Sequence, residues 1–353
     1  PTQPTPELHS VASSFLVDGE LVDAENWFGG HINDSFLLKF LCPDGEKRFL
    51  LQRVNGHVFP EPTKVMENVQ RITEFVSVRA PELAFLYLVP QRNLDPWHED
   101  SSGDCWRLYP FMEETTALLE VENEYQARTA AFAFGHFSRL LSNLPDPPLH
   151  DVLPGFHDTP ARICALMKAT EVEGKHLLQE IGDELEFVQS HEETAGTLME
   201  LLKSGQLPTR VVHNDAKISN VLLDPKSGEA VCVVDLDTVG HGTSLFDYGD
   251  MLRSMCSSTK EDEQDLGKVV VDSSLCSAIK KGYLEGVGSI FSETEKELMP
   301  LSGFIIALEL GVRFLTDHLK GNEYFKVTRP GQNLDRARVQ FELAKGLKEL
   351  AES

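Results

Sequence analysis

The stretch that decides the fold is Val211–Asp250, VVHNDAKISNVLLDPKSGEAVCVVDLDTVGHGTSLFDYGD. His213-Asn214-Asp215 opens the chemistry, and Asn220 follows Asp215 at a five-residue step. The apolar run Ala230–Val234 then reads as a strand and ends on Asp235. A carboxylate, an amide oxygen and a second carboxylate are hard oxygen donors of the kind Mg²⁺ selects. One carboxylate can also orient an acceptor hydroxyl and take its proton. The pattern therefore suits transfer of the γ-phosphoryl group of ATP, with Asp215 as base and Asn220 and Asp235 as Mg²⁺ ligands. Lys217, two residues past the base, is placed to reach the migrating phosphoryl group. Each piece alone is ordinary, since an Asp–Asn pair also caps loops and an Asp also ends strands in turns. The order of the three, flanked by VLLD and VCVVD, carries the reading. Asp237 faces the same way on an extended segment and competes for the metal role. Ser244–Met255 is expected as a helix, with Asp247 in its first turn as a structural carboxylate that caps the catalytic loop.

Working toward the N-terminus, Leu16–Leu21, Ser35–Leu41 and Arg48–Val54 are expected as strands, divided by Asp18-Gly19 and Pro43-Asp44-Gly45. Between the first two lies a loop with Gly29-Gly30 and His31. Bare backbone approaches phosphates closely and offers N–H donors, although a hairpin turn is the plainer use of the same glycines. His31 faces either substrate or solvent. Arg53 ends the strand on which kinase-like folds carry a phosphate-binding lysine, and a guanidinium can grip phosphate with two donors. Pro62–Ala80 has helical spacing, and its Glu67 is the candidate ion-pair partner of Arg53. Leu83–Val89 and Cys105–Met112 are expected as further strands. The run from Trp106 to Glu113 lies where a two-lobed kinase crosses between lobes and reads adenine, which puts Tyr109 and Phe111 on the nucleotide side. The lobe boundary falls near Met112–Thr116, giving a nucleotide-binding N-lobe over 1–113 and a C-lobe over 114–353.

The remainder reads as helical: Glu124–Leu144, Pro160–Gln179, Glu184–Ser204, Ser274–Val287, Glu293–Lys320 and Asp335–Ala351. The expected class is α+β, a bilobal protein-kinase-like fold with a small β-rich N-lobe and a larger, mainly helical C-lobe.

Composition bounds the function. A net charge of −24 disfavours nucleic acid and anionic membranes as partners. No uninterrupted apolar run approaches the roughly 20 residues that cross a bilayer, and PTQPTPELHS lacks the features of a signal peptide. Six cysteines are scattered without C-x-x-C spacing, which speaks against zinc or a disulfide framework and fits a cytoplasmic protein. A monomer is the default expectation.

With these residues in view, the chain resembles the aminoglycoside phosphotransferase and choline kinase superfamily of small-molecule kinases, and within it the N-acetylhexosamine 1-kinase branch. The likeness runs through GHINDSF, FLLQRVN, VMENV, LLSNLPDPPLHDVLPGFHDTPAR, VVHNDAKISNVLLD, VVDLDTV, VRFLTDHLKGNEYFKV and NLDRARVQF. The His-Asn-Asp…Asn…Asp core marks only the superfamily, whereas FHDTPAR and RFLTDHLKGNEYF mark the branch. The resemblance implies ATP with Mg²⁺ and phosphorylation of the anomeric hydroxyl of N-acetylglucosamine or N-acetylgalactosamine. It also implies that His31, Arg313, Asp317 and Tyr324, along with Asp215, contact the sugar. From the residues alone, Arg313 and Asp317 read as an i,i+4 ion pair on one helix. Arg53 in place of lysine departs from the wider superfamily. Two alternatives stand beside this one: a kinase of another small alcohol (aminoglycoside, choline or homoserine type), and a nucleotide-binding pseudokinase, against which the intact Asp215, Asn220 and Asp235 argue.

Overall fold

The computed structural model describes residues 5–27, 32–81, 83–172 and 175–352. Helix α1 (Pro6–Ser14), which the pattern of apolar residues did not announce, is opened by a Thr5 cap and a first-turn proline. The first strand, β1 (Glu20–Asn26), starts later than the expected Leu16. The reason is that Phe15 and Val17 are drawn into the core, while the Leu16 N–H bonds the Pro90 carbonyl at 2.8 Å. β2 (Asp34–Cys42), β3 (Gly45–Arg53), α2 (Pro62–Arg79), β4 (His98–Glu99) and β5 (Cys105–Pro110) follow. They build an antiparallel sheet in the order β1-β2-β3-β5-β4.

Strand periodicity splits this sheet into two faces. Leu38, Phe40, Leu51, Trp106 and Leu108 pack with α1 residues Val11 and Ala12. Cys105 and Tyr109 belong instead to the larger core, with Met66, Val69 and Ile72 of α2. Arg107 lies between those two on the same strand, so alternation turns it toward α2 as well. The expected strand Leu83–Val89 does not form; Phe85, Leu86 and Leu88 pack on the larger core instead, and the Val89 N–H bonds the sheet at the Leu108 carbonyl.

The C-terminal region is larger and mainly helical. In order it holds β6 (Thr116–Ala117), α3 (Glu124–Leu141), α4 (Thr159–Val172), α5 (Lys175–Glu180), α6 (Gly182–Ser190), α7 (Glu192–Lys203) and β7 (Arg210–Val212). Then come β8 (Val221–Leu223), β9 (Ala230–Val233), β10 (Gly240–Gly242), α8 (Ser244–Met255), α9 (Ser273–Val287), α10 (Glu293–Leu319) and α11 (Gln332–Glu352). The helix expected over Glu184–Ser204 breaks at His191, which ends α6, starts α7 and packs its ring on Phe187 and Phe304. α3 and α9 touch backbone to backbone: a Cβ on Gly282 would stand 2.1 Å from the Arg128 carbonyl oxygen, closer than any side chain permits. By length and composition α10 suffices to cross a bilayer, but 72% of its most apolar window is buried within the fold. The architecture is thus α+β and kinase-like, with a β-rich N-terminal region and a larger helical one.

Candidate active site

The short strand β7 delivers His213-Asn214-Asp215 into a loop held from behind. The buried Asp247 carboxylate, in the first turn of α8, accepts the N–H of His213 at 2.8 Å and of Asn214 at 2.7 Å. Burial pushes the Asp247 pKa up, with His213 and the two N–H groups opposing it. His213 is fully buried against Phe134 and Phe137, and its Nε2 meets the Val234 carbonyl at 3.0 Å. Thr238 donates to the His213 carbonyl at 2.8 Å, and Asn214 donates to the Thr238 carbonyl at 2.9 Å. These bonds tie the segment around Asp235 to the loop that carries Asp215.

Asp215, Lys217 and Asn220 converge. Lys217 Nζ lies 2.8 Å from Asp215 Oδ2. Asn220 Nδ2 donates to that same oxygen at 2.8 Å and to the Asp215 carbonyl at 2.9 Å. Burial opposes the charge on Asp215, yet Lys217 and the other neighbours outweigh it and hold the carboxyl below its usual range. Lys217 is likewise penalised by burial and raised overall by Asp215. An ionised carboxylate with a cation beside it can orient a hydroxyl and receive its proton.

Asp235 differs in every respect. It takes a left-handed backbone, φ 61° and ψ 63°, which non-glycine residues seldom adopt. Its carboxylate has no hydrogen-bond or ion-pair partner among the described residues, and neither has Asn220 Oδ1. Dense surroundings push the Asp235 pKa up to about 6, with the carboxylates of Asp237 and Asp215 adding to the effect. Crowded acid of this kind is what a divalent cation relieves. Among the described residues no group of three His, Cys, Asp or Glu could hold a metal. Two oxygen donors suit Mg²⁺, which seldom uses an all-protein cage and takes its further ligands from phosphates and water.

Asp237 does not compete for that role. Both its oxygens are taken by the Arg107 guanidinium in a buried bidentate pair, and Asn33 Nδ2 adds a bond of 2.7 Å. The expected Arg53–Glu67 pair is also replaced. Strand register sets Arg53 opposite Asp34 on one side and Trp106 on the other. Arg53 therefore bonds Asp34 at 2.6 Å and Asp104 at 3.2 Å, with its guanidinium over the Trp106 ring. Glu67 pairs with His150 at 2.5 Å. Nothing local in the sequence distinguishes these partners. Arg107 did leave a signal, an arginine within the apolar run CWRLY, which a buried strand tolerates only with a carboxylate in reach.

The other candidate residues divide. The Tyr109 side chain is core rather than cleft surface. The Phe111 N–H is given to the Arg48 carbonyl, and its ring meets Trp27 edge-on at 5.4 Å. Gly29, Gly30 and His31 lie outside the described residues. Arg313 and Asp317 form no ion pair. Asp317 is buried and accepts the N–H groups of Tyr324 and Phe325 and the Asn333 amide, at 2.8, 2.9 and 2.9 Å. These bonds fix the backbone that carries Tyr324. Arg313 has no hydrogen-bond or ion-pair partner among the described residues, and its guanidinium lies over the rings of Phe156, Tyr324 and Phe325.

Residues 29–270 match the phosphotransferase enzyme family, which is more than half of the chain. The chain belongs to that family. Membership makes it a phosphotransferase of the aminoglycoside phosphotransferase type. Solved structures share this phosphotransferase fold at low identity. An aminoglycoside phosphotransferase from Alicyclobacillus acidocaldarius superposes with a TM-score of 0.64 at 12% identity, covering 100% of this chain and 96% of that one. A microcompartment-associated aminopropanol kinase gives 0.56 at 14%, covering 98% and 95%. A choline kinase from Cryptosporidium parvum gives 0.56 at 14%, covering 93% and 89%.

Proposed function

We propose that this phosphotransferase is an N-acetylhexosamine 1-kinase, acting as a monomer on N-acetylglucosamine or N-acetylgalactosamine with ATP. The observation that carries the acceptor assignment is Arg313, a guanidinium without a hydrogen-bond acceptor among the described residues, stacked among aromatic rings that include the exposed Tyr324. An aromatic face covers a pyranose, and a guanidinium with unused donors suits an acetamide carbonyl. Asp215 orients the anomeric hydroxyl and takes its proton as the new O–P bond forms. The bond from the γ-phosphorus to the bridging oxygen breaks, and that oxygen leaves with ADP. Lys217 holds Asp215 ionised and lies beside the transferred group. Asn220 Oδ1 and the Asp235 carboxylate would hold Mg²⁺, which neutralises charge on the phosphates when bound. We place the division between lobes at residues 113–114, where Glu114 takes a positive φ of 54°.

The test is ADP release in a coupled assay with N-acetylglucosamine, N-acetylgalactosamine, an aminoglycoside and choline as separate acceptors. Turnover confined to the two acetamido sugars, and lost with Arg313→Ala, is the expected result. Turnover with choline or the aminoglycoside alone would overturn the sugar assignment and leave the kinase core standing.

A further inference from the structure

The cation that the fold buries beside the metal-binding turn comes from β5, not from the end of β3. We infer that Arg107 and Asp237 are positioning residues for Asp235: their buried ion pair, with Asn33 as a third arm, sets the turn that aims the Asp235 carboxylate. This inference rests on Asp235 being a Mg²⁺ ligand.

Arg107 and Asp237 are 2% and 3% exposed, although 130 residues separate them in the chain. Arg107 Nη2 meets Asp237 Oδ2 at 3.0 Å, its Nη1 bonds Oδ1, and its Nε meets Gln52 Oε1 at 3.0 Å. Gln52 is held in turn by a bond from its Nε2 to Ser35 Oγ. The guanidinium is thus fixed in its plane from β3 and β2. Asn33 Nδ2 donates to Asp237 Oδ2, and Asn33 Oδ1 accepts the Asn55 N–H at 3.0 Å. That second amide bond joins the approach to β2 to the residues just after β3.

Asp235 sits inside this frame. On one side, the Val234 N–H bonds the Asn220 carbonyl at 2.9 Å, and the Val234 carbonyl bonds His213. On the other, Thr238 is tied to the catalytic loop and Asp237 to the sheet. The catalytic loop alone anchors the turn at 234 and 238. A left-handed non-glycine residue persists only where its surroundings over-determine it, and the sheet-side anchor at 237 supplies the remaining constraint. The same pair removes Asp237 from competition for the cation and leaves Asp235 as the free carboxylate. Arginine is needed because a fork reaches both oxygens and Gln52 at once, whereas lysine offers a point charge.

The test is calorimetric binding of Mn²⁺·ADP and of metal-free ADP to the full chain. Asp237→Asn and Arg107→Lys are compared with wild type, with Asp235→Asn, and with Leu38→Ala. Leu38 is buried on the opposite face of the sheet, so its truncation lowers thermal stability without touching the turn. Residues that hold a metal ligand typically change metal affinity by about 10- to 100-fold. Asp237→Asn is expected to weaken Mn²⁺·ADP by at least about tenfold and metal-free ADP by less than about twofold, with Arg107→Lys between it and wild type. Leu38→Ala should bind both as wild type does. Wild-type affinity in Asp237→Asn and Arg107→Lys, or an equal loss in Leu38→Ala, overturns the inference while Asp235→Asn still reports the ligand. If Asp235→Asn itself binds Mn²⁺·ADP normally, the ligand assignment fails and the inference falls with it.

Discussion

The catalytic loop and the charged network of the N-terminal sheet both hold carboxylates in fixed places, but they draw on very different lengths of chain. In the loop, Lys217 and Asn220 lie within five residues of the Asp215 they serve, and Asp247 reaches back 34 residues to His213. In the sheet network, Arg53 joins Asp34 across 19 residues and Asp104 across 51, and Arg107 joins Asp237 across 130. Short-range geometry is dictated by the step between residues, so residue type and spacing specify the contact. Long-range ion pairs are dictated by strand register and sheet face, and many charged residues fit equally well until the topology is known.

The sharpest way to break this contrast lies in the loop itself. Asp215→Asn should lower turnover by about 10²- to 10⁴-fold, the usual value of a positioned base, while nucleotide affinity from calorimetry stays close to wild type. A neutral outcome would mean that the local pattern is structural only.

Next in size is a paired test of the two arginines. Removing one partner of a buried ion pair leaves the other charge stranded, so Arg107→Met should cost about 3–5 kcal/mol in urea unfolding. Arg53 and its partners are 38–56% exposed, so Arg53→Met should cost no more than about 1 kcal/mol. Equal losses would erase the distinction between the two sites.

Gly282→Ala asks the same question of packing. The added methyl meets the Arg128 carbonyl, so α3 and α9 must part, at about 1–3 kcal/mol. The sequence showed the glycine but not the helix that approaches it.

The smallest effect is at His241, whose neutral Nε2 accepts the Leu149 N–H at 3.1 Å. Burial lowers its pKa, Arg71 adds to the fall, and Asp151 opposes it. A depressed folded-state pKa contributes stability that is present above the unfolded value of about 6.5 and is lost as pH falls through the folded value. His241→Gln can accept the same bond without titrating. Its stability relative to wild type should therefore rise as pH drops below about 6.5 and stay flat above. A difference that grows with rising pH above neutrality would reverse the sign.

Legibility followed the same division. α8 and the strands around Val211–Asp250 were readable because apolar period, turn residues and the Asp247 cap all agree locally. The break at His191 was not, because the helical period continues through it, while in the fold its ring packs on Phe187 and Phe304 and meets Lys348. Leu83–Val89 has strand composition, but its side chains pack on the helical core rather than pairing in a ladder. At the acceptor side, the spacing of Arg313 and Asp317 suggested an ion pair. Asp317 turned instead to backbone N–H groups in the segment that presents Tyr324, which no helical spacing anticipates.

The most direct measurement is ³¹P NMR of the wild-type chain and Asp215→Asn with ATP, Mg²⁺ and N-acetylglucosamine or N-acetylgalactosamine. Wild type should give a new phosphomonoester signal, coupled to the anomeric proton and growing in step with ADP, and the variant should give almost none. ADP accompanied only by inorganic phosphate, or equal product from both proteins, would contradict Asp215 as the base that directs phosphoryl transfer to a sugar hydroxyl.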